Sequence, residues 1–394
     1  MLIRFLFIAF SLSCLQSCYI IRAYKVRDFK LTDHQTMPSV SVPASSQPYQ
    51  FREWTPTETN IALKQSLDSS LASSLTAAFL VIRNDSIIYE NYFNGFSRES
   101  LLPSFSVAKS VVATLVGMAI NEGKISSTQD PVTRYLPDLK KTDPLYENIT
   151  LQHLLDMRSG LKWNEGKYGL QDDAIKMAFR PNLLKYVKKV KVDKAPGGAF
   201  NYQSINTELL ALVVESATGK KLAAYLGEKL WEPLGMEYEA TWNVDNKKRQ
   251  QEIAFAGLNA TARDYAKLGQ LYLNGGKWKD RQVISREWVN EVSHPDSMRQ
   301  GYTNQWWQSL SYYKTEDSLA AVSFKNDHPF STSVFKNGNE YRVGYNPAPH
   351  ANGILNQYVY FFPARNVVIV RLGRYWYHPS KNPTSFIYEL GNRL

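Results

Sequence analysis

The chain has 394 residues, 44% hydrophobic and 13% aromatic, which is enough for one large composite fold or two domains with a substantial core. Its only cysteines are Cys14 and Cys18, so the body holds no disulfide framework and no cysteine metal site, and the six histidines show no pair at metal-ligand spacing. The formal net charge is +10, part of it in residues 185–194, where lysines alternate with apolar residues as on a solvated face or a rim attractive to anions.

Residues 1–18 have the layout of an export signal. Arg4 gives a positive start, residues 5–12 form an apolar stretch too short to span a bilayer, and Leu15-Gln16-Ser17-Cys18 resembles the lipobox of bacterial lipoproteins. This predicts lipidation at Cys18 and an envelope location facing the periplasm. Gln16 is unusual there, so simple secretion or an uncleaved anchor stays open. Residues 19–55 are polar and rich in Ser, Pro and Gln, without a sustained period, and read as a tether.

Residues 60–75 then show helical spacing, and two β-rich runs, 77–82 and 86–90, flank Arg83-Asn84-Asp85 as a hairpin. The helix at 106–120 is apolar all round and therefore buried. From there to about Glu291 the pattern is mainly helical, with helices at 151–157, 207–218, 222–230, 262–274 and 285–292. Strand character returns at 305–307, 358–362 and 367–371, and a last helix covers 384–394. The order predicts an α+β fold (an α/β sandwich): one antiparallel sheet built from both ends of the chain, flanked by helices, with a mainly helical domain inserted. The sheet domain takes residues 56–125 and 290–394, the helical domain 126–289.

Chemistry concentrates at three places. Ser106 opens the apolar helix, where free backbone N–H groups favour developing negative charge, and Lys109 stands three residues on, beside its hydroxyl. A desolvated lysine has a lowered pKa and can act as base for an adjacent serine. Ser-x-x-Lys alone is a weak pattern, since Ser159/Lys162, Ser311/Lys314 and Ser333/Lys336 match it too, and an N-cap serine followed by a snorkelling lysine is the plainer reading. Tyr202 and Ser204 follow a Pro/Gly-rich loop that can point a phenol and a hydroxyl into one cleft, although most tyrosines are packing residues. His350-Ala351-Asn352-Gly353-Ile354 precedes a strand; Gly353 allows close approach to backbone, the Ile354 N–H is a candidate oxyanion donor, and His350 is a candidate base or a plain loop histidine.

Ser106-x-x-Lys109, Tyr202-x-Ser204 and the Gly353 segment, in this order, resemble the serine β-lactamase and penicillin-recognising superfamily. The nearest likeness is its class C-like branch of esterases, D-aminopeptidases and nylon-oligomer hydrolases. The resemblance runs over residues 76–371 and includes segments 130–137, 149–160, 260–264 and 273–276. It implies the β-lactamase/DD-peptidase-like fold, with Ser106 as acylated nucleophile, Lys109 and Tyr202 as proton-transfer pair, and the N–H groups of Ser106 and Ile354 as oxyanion hole. No metal or other cofactor is implied. Tyr168, in Glu165-Gly-Lys-Tyr168, stands where nylon-oligomer hydrolases carry a substrate-contacting tyrosine, one residue out of register. Trp306-Trp307 matches a core strand of the family, and the long segment between Trp307 and His350 is a candidate cap over the cleft.

Two departures matter. Ser204 replaces the asparagine of many relatives, and Ala351-Asn352-Gly353 replaces Lys-Thr-Gly, so the lysine that anchors a β-lactam carboxylate is missing. The expectation is an exported serine hydrolase that cleaves an ester or amide of a small molecule or short peptide. Ser204, Tyr168, Asn352, Gly353 and His350 are the candidate substrate contacts. A peptidoglycan D-amino-acid peptidase or β-lactamase is the alternative, and a non-catalytic envelope-binding lipoprotein the rival of another class. Nucleic acid is not an expected partner, for no such motif appears.

Overall fold

The computed structural model of the chain describes residues 19–26, 28–53, 58–293, 301–314, 332–336, 339–376 and 382–394. The export signal with Cys18 lies outside them. Among the described residues no helix is long and apolar enough to cross a membrane.

The centre of the fold is a strand pair that joins the two ends of the chain. Strand β3 (Thr76–Arg83) and strand β13 (Val367–Gly373) pair antiparallel from Val367↔Arg83 to Gly373↔Thr76, and nearly every residue in both is buried. A continuous apolar run fits such a position, because helices cover both faces. Adjoining β3 is β4 (Ser86–Tyr92), and the short β2 (Arg52–Glu53) adds to it in parallel. On the other side follow β12 (Gln357–Phe362), β11 (Asn339–Gly353), β9 (Trp306–Lys314) and β8 (Tyr302–Thr303), with β10 (Thr332–Lys336) also paired to β11. Apart from β2 the sheet is antiparallel, as the sequence predicts.

Alternation along these strands sorts side chains to two cores. One face packs Phe79, Val81, Tyr360 and Ile369 against helix α2 (Glu58–Ala72) and the C-terminal helix α7 (Pro383–Arg393). The opposite face packs Leu80, Ile82, Phe361 and Val368 into the main core with helices α3 (Val107–Asn121) and α6 (Ala262–Leu273). Helix α3 in turn lies against α5 (Ser204–Thr218), which buries it on all sides.

Two expectations require correction. Residues 126–289 are rich in helices, but β6 (Ala240–Asn243) and β7 (Leu258–Ala260) lie among them, in a second sheet ordered β1-β6-β7-β5 with β1 (Ser39–Val42) and β5 (Leu102–Pro103). The segment read as a tether is no tether over its described residues. It forms α1 (Tyr19–Lys25), β1 and β2 and crosses the body as a strap, tied by the Val244 N–H to Pro38 O (2.8 Å), Asn243 Nδ2 to His34 O (3.0 Å) and the Tyr49 N–H to Gly235 O (2.8 Å). Its apolar residues Val26, Leu31, Val42 and Phe51 are each buried, but at irregular spacing. A strap that fills grooves made by other elements needs no period of its own, which is why its sequence reads as unstructured. The candidate cap proves to be in part a ribbon: β9 and β11 pair from Ser309↔Asn346 to Lys314↔Tyr341. Residues 315–331 and 337–338 of that segment lie outside the described residues.

Candidate active site

Ser106 is presented by a strained turn between the second sheet and α3. The Ser104 N–H donates to Leu258 O (2.8 Å), Phe105 takes a left-handed φ of +43°, and the helix begins at Val107. Non-glycine residues hold such a backbone only where their surroundings enforce it, and functional turns are a common place for it. The Ser106 side chain makes no capping bond, against the plainer reading of an N-cap serine. Instead Lys109 Nζ donates to Ser106 Oγ at 2.8 Å and to Phe255 O at 3.1 Å.

Lys109 does not snorkel. It is 1% exposed, and its ammonium lies 5.0 Å and 5.2 Å from the ring centroids of Tyr202 and Phe255. Burial pushes its pKa down to about 8, against the opposing pull of the Glu165 and Glu208 carboxylates. At pH 7 about a tenth of the molecules therefore carry a free amine against the serine hydroxyl. Tyr202 also hydrogen-bonds the Ser106 side chain; burial raises its phenol far above the ordinary range, so it stays a proton donor. Its ring stacks on Trp307 (5.7 Å, 24°) and meets Tyr302 edge-on. Of the pair Trp306-Trp307, both expected to be core, Trp306 is buried there, but Trp307 lines the cleft.

The Gly353 segment closes the site from the sheet side. A Cβ on Gly353 would lie 2.4 Å from Ser104 O and 3.2 Å from the Ser106 nitrogen, so only glycine lets β11 come this close. Ile354 starts the turn into β12, and neither its N–H nor that of Ser106 donates to an acceptor among the described residues. Two free donors thus flank the nucleophile, as an oxyanion hole requires. The turn is unusual: Leu355 (φ +63°) and Asn356 (φ +66°) carry the positive angles of a tight hairpin without the usual glycine. Arg371, fully buried in β13, compensates by donating through Nη1 to Leu355 O (3.0 Å) and Asn356 O (2.7 Å), while Gln357 Nε2 donates to Ile354 O (3.2 Å).

The remaining predicted contacts divide. Asn352, Gly353, Ser204 and the half-exposed Tyr168 line one cavity of about 500 Å³ together with Ser106 and Tyr202. Ser204 is committed elsewhere, however: its N–H and hydroxyl both donate to Glu165, each at 2.6 Å. His350 is a correction. It points to the other face of the sheet, stacked on Tyr360 at 4.1 Å with Nδ1 against Ala348 O, and burial holds its imidazole neutral, at a pKa of about 4. Strand alternation forces this, because His350 shares the Tyr360 side of β11.

Sequence reasoning missed Glu165 and Arg371. Glu165 takes the two Ser204 donors and the Trp163 indole N–H (2.7 Å), caps α5 from outside and faces Lys109 electrostatically. Its partner stands 39 residues away, so no local pattern marks it. Arg371 did carry a signal, as the lone charge in the otherwise apolar run Val367-Val-Ile-Val-Arg-Leu372. A buried charge in such a strand needs partners, and here they are the carbonyls of the oxyanion turn.

Comparison with known proteins fits this arrangement. The beta-lactamase family model matches residues 65–384, and the chain belongs to that family of serine hydrolases. The 6-aminohexanoate-dimer hydrolase of Paenarthrobacter ureafaciens is 31% identical over 267 residues, 61% of this chain and 66% of that enzyme. The esterase EstB of Burkholderia gladioli is 30% identical over 208 residues, 43% of this chain and 52% of its own. The chain thus spans between half and two thirds of the length of these relatives. In structure it resembles a provisionally assigned 6-aminohexanoate-dimer hydrolase from Bacillus anthracis, with a TM-score of 0.71 at 22% identity over 93% of this chain and 92% of that one, which is a likeness of fold.

Proposed function

We propose that the protein hydrolyses an ester or amide through an acyl-enzyme on Ser106. The observation that carries this reading is the buried Lys109 amine, its pKa near 8, at 2.8 Å from a hydroxyl flanked by two free N–H donors. The neutral amine takes the Ser106 proton as Oγ attacks the carbonyl carbon, and the oxyanion forms between the Ser106 and Ile354 N–H groups. Tyr202, a phenol throughout the neutral range, gives its proton to the departing alcohol or amine and recovers one from the Lys109 ammonium. Water then attacks the acyl carbon by the same path in reverse, giving its proton through the pair, and Ser106 Oγ leaves.

Ala351 in place of the lysine of β-lactamases leaves this segment of the site without a cation for a substrate carboxylate, which favours neutral esters and amides over β-lactams and peptide C-termini. The relatives named for an amide oligomer and for esters support an ester or amide as the bond cleaved. Export, with lipid attachment at Cys18 and a periplasmic location, belongs to the proposal on the strength of residues 1–18. The test is turnover of p-nitrophenyl butyrate and of a 6-aminohexanoate oligomer beside labelling by a fluorescent penicillin. Ester or amide turnover that falls on the order of 10⁴-fold in Ser106→Ala, with little penicillin labelling, is expected. Rapid Ser106-dependent penicillin labelling without such turnover would overturn the substrate assignment.

A further inference from the structure

The cavity does not end at the catalytic groups. From Ser106 it extends to an arm walled by Val26, Phe29 and Met37 of the strap and by Ile175, Ala178 and Phe179 of helix α4 (Asp173–Phe179). The α4 residues stand at i, i+3 and i+4, the spacing of one helix face. With Ala23, Val26, Phe29 and Met37 they make a small apolar cluster, which Met37 and Ala178 join to the main core.

The arm is joined to the nucleophile by aromatic contacts. Phe29 meets Phe105, the residue before Ser106, edge-on at 6.2 Å, and meets Tyr168 edge-on at 6.4 Å. All three residues hold left-handed backbones, with φ of +35°, +43° and +50°. Three adjacent non-glycine residues in that region are enforced by their surroundings, and such strain gathers at ligand clamps. The polar groups of this part of the strap are largely engaged: Asp33 Oδ2 accepts the Lys30 N–H (2.7 Å) and His34 Nδ1 faces Leu31 O (3.0 Å). The Lys30 side chain is exposed at the rim.

We propose that this arm is the specificity pocket for an apolar chain of the substrate, and that the N-terminal strap sets the chain length accepted. The class of substrate is a neutral ester or amide with an alkyl or aryl substituent reaching past Phe29. This rests on the hydrolase reading above. A buried methylene contributes a factor of roughly three to four in transition-state affinity while the chain still finds apolar wall.

The experiment compares kcat/KM for p-nitrophenyl acetate, butyrate and octanoate, and for alkyl acetates of rising alcohol length, so that either side of the ester can carry the chain. The wild-type protein is expected to prefer the longer chain at least tenfold in one series. Ala178→Trp, which fills the arm, is expected to reduce that preference about tenfold, and Met37→Ala, which widens it, to move the optimum to longer chains. Circular dichroism melting establishes that each variant is folded. Chain-length preferences that are flat, or unmoved by both variants, overturn the proposal while Ser106-dependent turnover leaves the hydrolase reading standing. Absence of any Ser106-dependent turnover overturns both.

Discussion

Lys109 decides the chemistry at the scale of single residues. Its burial disfavours the ammonium and Glu165 restores part of what burial removes, so its protonation state changes near pH 8. The reactive form is the neutral amine. The rate should therefore rise with pH through about 8 and be roughly a hundredfold lower at pH 6 than on the plateau. Glu165→Gln removes a negative charge that favours the ammonium, so the rising limb should move to lower pH; a limb that stays in place or moves up would contradict this electrostatic account. The pH dependence of kcat/KM for both proteins checks it. Ser106, Lys109 and Tyr202 were legible through the ordered motifs that carry the family resemblance, since Ser-x-x-Lys by itself recurs elsewhere in the chain. Glu165 was not, since its role comes from the fold bringing a loop against the start of α5.

Among the elements, the β11–β12 turn has the most exacting geometry. Gly353 touches the Ser104–Ser106 backbone, and Arg371 holds a turn with two positive φ angles. In Gly353→Ala the new Cβ must push β11 away from Ser106, separating the two oxyanion donors. We expect kcat to fall on the order of 10²–10³-fold with a smaller change in KM, and a stability loss of about 1–3 kcal/mol from overpacking. Steady-state kinetics and thermal melting read the two effects apart; a stability loss without a loss in kcat would remove Ile354 from the oxyanion hole. The central strands β3, β4, β12 and β13 were legible as apolar runs bounded by turn residues, and the long helices as periodic ones, whereas the polar β11 was not. This hairpin was not, because Leu355-Asn356 lacks the Asn-Gly or Asp-Gly pair that marks such turns. The start of α5 also differs from expectation, at Ser204 rather than 207, because Glu165 supplies a distant cap in place of the local one.

For the molecule as a whole, the sheet closes only when β13 meets β3, so the site depends on both ends of the chain. That architecture could be read from the order of strand and helix patterns. The second sheet and the strap could not, since short strands and scattered apolar residues acquire meaning only against the surfaces they cover. The strap nonetheless ends one residue from Cys18, so an anchored protein would carry its specificity wall beside its anchor. All of this converges on one nucleophile. Intact mass measurement of the protein after exposure to a fluorophosphonate, beside Ser106→Ala and with peptide mapping, tests that claim most directly. A single adduct on Ser106 that forms faster as pH rises through about 8 and is absent from the variant is the predicted result; an unmodified wild-type protein, or an adduct that persists in Ser106→Ala, would contradict it.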